Sequence, residues 1–191
     1  MINSCAFDTS EQAQQVTDIQ VRPATDADFN AIFGIFESHV AEGETYVHDG
    51  AGSREDARDY WFAPGVATWV AVKGKERILG MYRLQPNQKG RGAHVANAAY
   101  MVSPNAQGVG IGHLLGEHSI GEARRQGFLA MQFNFVVSTN SRALHLWKRL
   151  GFSIVGTLPK AFRHRRLGYV DAYVMYKLLE DPARWALPEE D

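Results

Sequence analysis

The stretch Gln107-Gly108-Val109-Gly110-Ile111-Gly112 runs without a break into the helix-like segment from His113 to Gln126. Three glycines alternate with small apolar residues, so side chains leave a row of backbone N–H groups unobstructed. The helix behind them turns the positive end of its dipole toward whatever lies there. Such a segment is a site for a pyrophosphate. Spacing excludes two nucleotide-binding loops. A G-x-G-x-x-G loop starting at Gly108 requires glycine where His113 stands, and one starting at Gly110 requires it where Leu115 stands. The acid that such a loop needs roughly 20 residues on is missing around Met131 and Gln132. A G-x-x-x-x-G-K-[ST] loop needs a lysine, and this segment has none.

The rest of the chain narrows the class. Its 191 residues suffice for one domain with a proper core, and 45% hydrophobic with 21% charged residues is ordinary for a globular protein. A net charge of -1 offers no electrostatic drive toward nucleic acid. The single cysteine, Cys5, allows neither an internal disulfide nor a thiolate metal cluster. That fits a reducing cytoplasm, so a cytoplasmic location is expected. Residues 1–18 are polar and lack the basic start and apolar core of a secretion signal. No apolar run approaches the length of a membrane span, so no membrane partner is expected. We read 1–17 as a loose arm, 18–180 as one domain and 181–191 as a tail.

Periodicity predicts the elements in order. Ile19 to Arg22 reads as a short strand ending at Pro23, and Thr25 caps a helix to about Gly43. Ser53 opens a second helix that stops at Pro64-Gly65. Thr68 to Val72 and Ile78 to Leu84 form a hairpin through Lys73-Gly74-Lys75. His94 to Val102 is a strand, Gly108 to about Gln126 a helix closed by Gly127, and Phe128 to Val137 a strand. Asn140 to Leu150 is a short helix that Asn140 or Thr139 can cap, and Phe152 to about Leu158 and Tyr169 to Leu178 are the last strands. The strand–helix–strand unit from His94 to Val137 implies two parallel strands with a right-handed crossover. The expected fold is α/β, a mixed sheet with helices on both faces.

A second pattern follows the glycine loop. From Asn140 the chain reads N-x-x-A-x-x-L-W-x-x-L-G-F, with Ala143, Leu146, Trp147 and Leu150 on one helix face. This resembles the second acetyl-CoA motif of the GNAT N-acetyltransferases, N-x-x-A-x-x-[LF]-Y-x-x-x-G-F. The loop is similar to the family's Q/R-x-x-G-x-G/A, with Gln107, Gly110 and Gly112 in the fixed places. Both motifs occur in order with a strand between them. The element order from about Ile19 to Leu179 also matches the GNAT acyl-CoA N-acyltransferase fold, as this resemblance implies.

The resemblance implies acetyl-CoA as cosubstrate. The backbone N–H groups of Gly108, Val109, Gly110, Ile111 and Gly112 would hold its pyrophosphate, and Asn140 its pantetheine arm. Met101 and Val102 would offer main-chain groups, with Ala143 and Trp147 completing the cofactor helix. Trp147 stands where the family often has a tyrosine that protonates the departing thiolate. An indole N–H cannot deliver a proton at neutral pH, so Trp147 is either a wall of the site or simply core. A thiol with a pKa of about 8.5 is already a fair leaving group.

Acceptor candidates are less sharply marked. Alternation along Phe128 to Val137 puts Leu129, Met131, Phe133, Phe135 and Val137 on one face and Ala130, Gln132, Asn134 and Val136 on the other. Asn134 is therefore expected to point away from the more apolar face, and Asn97 sits similarly within Val95 to Ala99. Each is either a satisfied core amide or a group that grips a carboxylate or amine of the acceptor. Phe133-Asn134-Phe135-Val136 is similar to a Phe-Asn-x-Val run in a GNAT subgroup that acetylates small cyclic amino acids. Glu44 and His48 are candidate general bases, or ordinary loop residues. Arg163 to Arg166 is either an anion clamp or a charged hairpin tip. His113 and His118 are five apart, the wrong offset for a shared metal, and no metal is expected.

The expected reaction moves an acetyl group from acetyl-CoA to a primary or secondary amine of a small molecule (amino acid, amine metabolite or toxin). The amine attacks directly in a ternary complex, and a homodimer is compatible with it. The alternatives are a protein N-terminal or lysine acetyltransferase, a non-catalytic acyl-CoA sensor, and a scaffold that binds neither.

Overall fold

A computed structural model describes residues 18–48, 53–74, 76–181 and 185. The expected arm with Cys5, most of the tail, and Lys75 of the hairpin turn lie outside the described residues. The chain forms β1 (Ile19–Pro23), α1 (Phe29–Glu42), α2 (Arg54–Phe62), β2 (Ala67–Lys73), β3 (Arg77–Pro86) and β4 (Val95–Val102). It continues with α3 (Ile111–Arg125), β5 (Ala130–Val137), α4 (Ser141–Arg149), β6 (Ser153–His164) and β7 (Gly168–Leu178). One mixed sheet takes the order β1-β2-β3-β4-β5-β7-β6. The expected parallel pair is β4–β5, joined by α3.

Two apolar layers sandwich the sheet. The stripe Phe29, Ile32, Phe36 and Val40 of α1, with Trp61 of α2, packs on Val70, Ile78, Met81 and Met101. On the other face Ile111, Leu115 and Ala123 of α3 and Trp147 of α4 cover Tyr82, Leu84, Met131 and Phe133. The first helix opens through a short 3₁₀ turn, Asp26–Asp28. There the Asp28 carboxylate takes both Arg22 guanidinium nitrogens at 2.7 and 2.8 Å and the Thr25 N–H at 2.7 Å. These bonds, the Arg22 contact foremost, hold Asp28 down to about 2. Its stabilisation is therefore complete above the unfolded carboxylate range near 4 and is lost as pH falls through about 2. Asp28→Asn should cost about 1–2 kcal/mol at pH 7, after discounting the half-open Arg22, and almost nothing at pH 2. Denaturant melts at the two pH values check this.

Two of the element boundaries that differ from expectation have a clear backbone cause. Helix α3 begins at Ile111, three residues later than the glycine run suggested. Gly108 and Gly110 hold φ of 82° and 87°, which ends any right-handed helix there. Strand β6 continues past Leu158 to His164 by way of a bulge between Leu158 and Phe162, where Lys160 takes φ 52°. A bulge lets the strand pass Pro159, which has no N–H for a ladder.

The feature that creates a site is the incomplete β4–β5 ladder. It consists of Val95↔Ala130, Ala96↔Met131 and Asn97↔Gln132, and then the strands part. Beyond that point β5 bulges between Phe133 and Val136 against β7. The bulge breaks the simple alternation read from the sequence, and Phe133, Val136 and Val137 are all buried. Trp147 fills the wedge from the α4 side, its ring 4.6 Å from Tyr100 on β4 and 4.7 Å from Phe133 on β5.

Candidate active site

The parted strands open a cleft of about 1010 Å³. Its floor is formed by Asn97 to Tyr100 and Val102 of β4 and by Phe133 to Val137 of β5. The glycine loop and the start of α4 form one end. Glu42 at the end of α1 and Glu44, Thr45, Tyr46 and Val47 of the loop after it, with Tyr60 and His164, form the other.

At the first end, among the described residues, no main-chain carbonyl accepts an N–H from Gly108 through His113; the first such bond is Leu114 N–H to the Gly110 carbonyl, 3.1 Å. A Cβ built on Gly108 or Gly110 meets nothing within 4 Å, so the space over both is open to a ligand. Gly112 plays another part: its Cβ would lie 3.2 Å from Leu146, so glycine lets α4 pack close. Bare donors at the front of a 15-residue helix suit a diphosphate. Val109, its side chain exposed, is not among the residues lining the cleft. Across the loop, Asn140 caps α4 by accepting the Ala143 N–H at 3.1 Å, and Arg142 donates to the Gln107 side chain at 2.8 Å. Arg142 went unnoticed in the sequence because only the packing of α4 beside the loop brings it there.

The edge of β4 is set by strand alternation. Ser103 N–H bonds to the Leu79 carbonyl at 2.8 Å, so Met101, two residues earlier, also turns its main chain to β3. Its side chain is buried as well. Met101 therefore offers the cleft nothing, contrary to the sequence expectation, whereas Val102 and Tyr100 turn their main-chain groups toward it. The Val102 carbonyl meets His39 Nε2 at 2.9 Å, which requires the proton on that nitrogen. The Tyr46 hydroxyl donates to the Tyr100 carbonyl. Burial pushes the Tyr46 hydroxyl up, so it stays protonated.

The amides fall into two environments. Asn97 donates to the Gln132 carbonyl at 2.9 Å and closes the last rung of the ladder. Asn134 is exposed, accepts from Gln132 at 2.8 Å and donates to Asn87 at 2.7 Å. Both line the cleft. Glu44 lies at its mouth, 2.6 Å from Arg166. His48 packs edge-on against Tyr60 and Phe36 at 4.9 and 5.2 Å. Its pKa is lowered, by burial first and the Arg83 charge second, so its imidazole is neutral at pH 7. His113 and His118 go separate ways, to Glu117 and to the Tyr82 hydroxyl. Among the described residues no cluster of metal-ligating side chains occurs, and no helix is long and apolar enough to cross a membrane.

A seven-stranded mixed sheet, parted between two central parallel strands with a glycine-rich helix front at the opening, defines an acyltransferase architecture. The chain belongs to the acetyltransferase (GNAT) family, whose model matches residues 34–152. It is similar to N-acetyltransferase aca1 of Schizosaccharomyces pombe, 34% identical over 152 residues that span 71% of this chain and 72% of that one. A GCN5-related N-acetyltransferase structure from Kribbella flavida superposes with a TM-score of 0.81 at 44% identity, covering 84% of this chain and 98% of that one. An acetyltransferase from Salmonella typhimurium, solved with acetyl-CoA, shares the fold with a TM-score of 0.76 at 23% identity, over 86% and 96% of the two chains.

Proposed function

We propose that this protein transfers an acetyl group from acetyl-CoA to the amine of a small molecule, by direct attack in a ternary complex. The main-chain donors of Gly108, Gly110, Ile111 and Gly112 would hold the diphosphate, with Val109 contributing its N–H only. The N–H groups of Val102 and Tyr100 would meet the pantetheine arm and the thioester oxygen, while Asn140 flanks the arm and Ala143 and Trp147 back it. A donor aimed at the developing oxyanion is worth about 3–4 kcal/mol in other enzymes. Asn97 and Asn134 would orient the acceptor. One oxygen of Glu44 is held by Arg166, so the base role open to it runs through water; neutral His48 stands nearby. Trp147 packs between the strands and serves as wall, leaving the thiolate to depart unassisted or with water.

The observation that carries the small-acceptor reading is the tie across the acceptor end. Arg165 N–H donates to the Gly43 carbonyl at 3.1 Å, and its guanidinium donates to the Ala41 carbonyl at 3.0 Å. With the Arg166–Glu44 pair, these bonds bind the β6–β7 tip to the loop after α1. A cleft bridged at that end suits a compact amine better than a polypeptide. The test is thiol release from acetyl-CoA with a panel of amino acids, small amines and lysine or N-terminal peptides. Turnover confined to peptides would replace the reading with protein acetylation. Tight acetyl-CoA binding with no acceptor would leave a sensor. Arg142→Ala should weaken CoA binding about fivefold and flatten its salt dependence, since a cation beside a phosphate near the surface contributes about 1 kcal/mol; calorimetry at two salt concentrations measures both.

A further inference from the structure

With Trp147 as a wall, α4 gives the departing thiolate no proton donor. The α1 side of the cleft offers one. Among the described residues, the tyrosines that line the cleft are Tyr46, Tyr60 and Tyr100. The Tyr100 hydroxyl lies 2.7 Å from Ser119 Oγ, behind the sheet under α3. Tyr60 lies under the Arg83 guanidinium at 4.1 Å, and its hydroxyl bonds the same group. Tyr46 alone of the three sets its hydroxyl on the parted edge of β4, against the Tyr100 carbonyl.

The place of that hydroxyl follows from the broken ladder. Pairing of β4 with β5 ends at Asn97↔Gln132, so the N–H and carbonyl that Tyr100 turns toward the gap have no partner strand. Val102, two residues nearer the glycine loop, has its carbonyl taken by His39 Nε2 at 2.9 Å. An arm entering from the glycine loop therefore passes Val102 first and ends near Tyr100. The His39 ring packs beside the Tyr46 ring, centroids 5.9 Å apart, and steadies it. Where strands exchange a pair of bonds, the N–H and carbonyl of one residue meet the carbonyl and N–H of one residue opposite. At Tyr100 that opposite residue is missing. The Tyr46 hydroxyl occupies the place of its N–H, and a thioester oxygen on the Tyr100 N–H would occupy the place of its carbonyl. Hydroxyl and thioester oxygen then lie as near each other as the two polar groups of a single residue. The sulfur is bonded to the same carbon as that oxygen.

We propose that Tyr46 is a catalytic residue that hands its hydroxyl proton to the departing sulfur. This rests on the acetyl-transfer reading above, with the thioester against the Tyr100 N–H. The amine nitrogen bonds to the thioester carbon, and the C=O electron pair moves to the oxygen. When that pair returns, the C–S bond breaks and its electrons go to sulfur, which takes the Tyr46 proton. The nitrogen carries one proton too many after its attack and returns it to the Tyr46 oxygen, directly or through water. Amide and thiol leave, and Tyr46 is as it began. Burial pushes the hydroxyl up, so a free phenolate does not accumulate and the two proton shifts go together.

The experiment compares the full-length protein with Tyr46→Phe on two donors, acetyl-CoA and its selenoester analogue, using the best amine of the acceptor panel. A selenol is far more acidic than a thiol, so it departs as the anion and needs no proton. With acetyl-CoA, Tyr46→Phe should lower kcat about a hundredfold, in the range of a general acid, with KM for the amine and CoA affinity by calorimetry within about twofold. With the selenoester the two proteins should differ by less than about threefold. Phenylalanine keeps the ring beside His39, and retained CoA affinity shows that the variant is folded. An equal loss on both donors, a loss of CoA affinity, or an undiminished kcat with acetyl-CoA overturns the proton transfer while acetyl transfer stands. Thiol release with no amine at all by the wild-type protein overturns both.

Discussion

Gly110→Val should raise the dissociation constant of CoA by about a hundredfold, while the protein stays folded. Two effects combine. The residue sits at φ 87° and ψ 0° as the cap of α3, a conformation that costs a non-glycine residue about 1–3 kcal/mol. The new side chain also projects into the open space over the loop, where nothing of the protein lies within 4 Å, so it obstructs an incoming phosphate rather than the fold. Calorimetry gives the affinity, and thermal melting without ligand gives the strain. A melting point lowered by several degrees with CoA affinity unchanged would detach the diphosphate from this loop.

Asn134→Ala should lower kcat/KM for the acceptor by about a hundredfold, in the range seen when one positioned donor is removed from an active site. Its stability cost stays below about 1 kcal/mol. Asn134 is exposed, and its two amide partners, Gln132 and Asn87, can turn to water when it is gone. Asn97→Ala is the internal contrast, because Asn97 supports the Gln132 carbonyl at the last rung of the β4–β5 ladder and its loss loosens the fold. Kinetics beside denaturant melts separate the two. Full turnover in Asn134→Ala, paired with a large loss of stability, would make that residue structural.

Much of this was legible along the chain because the signals are local. Ser53 caps α2 and Gly43 closes α1 in a left-handed turn, each at its expected place. Asn140 caps α4 in the same way. Where the reading slipped, the cause was backbone geometry that residue types alone do not encode. The glycine run looked like the start of a helix until two positive φ values placed the helix front at Ile111. Met101 looked like an edge residue until the β3–β4 register turned its main chain away.

From the sequence alone came the order of strands and helices, the parallel crossover and the two motifs at either side of it. The element order and the motifs depend on residues within one or two helical turns of each other, where caps, periodicity and glycine conformations act directly, and the crossover follows from that order by the handedness of strand–helix–strand units. Tertiary structure decided the rest: where β4 and β5 part, that Arg165 and Arg166 reach the loop after α1, and that Arg142 stands beside Gln107. Those depend on pairings between residues tens of positions apart, whose energies come from burial and register and leave no short-range trace in the chain.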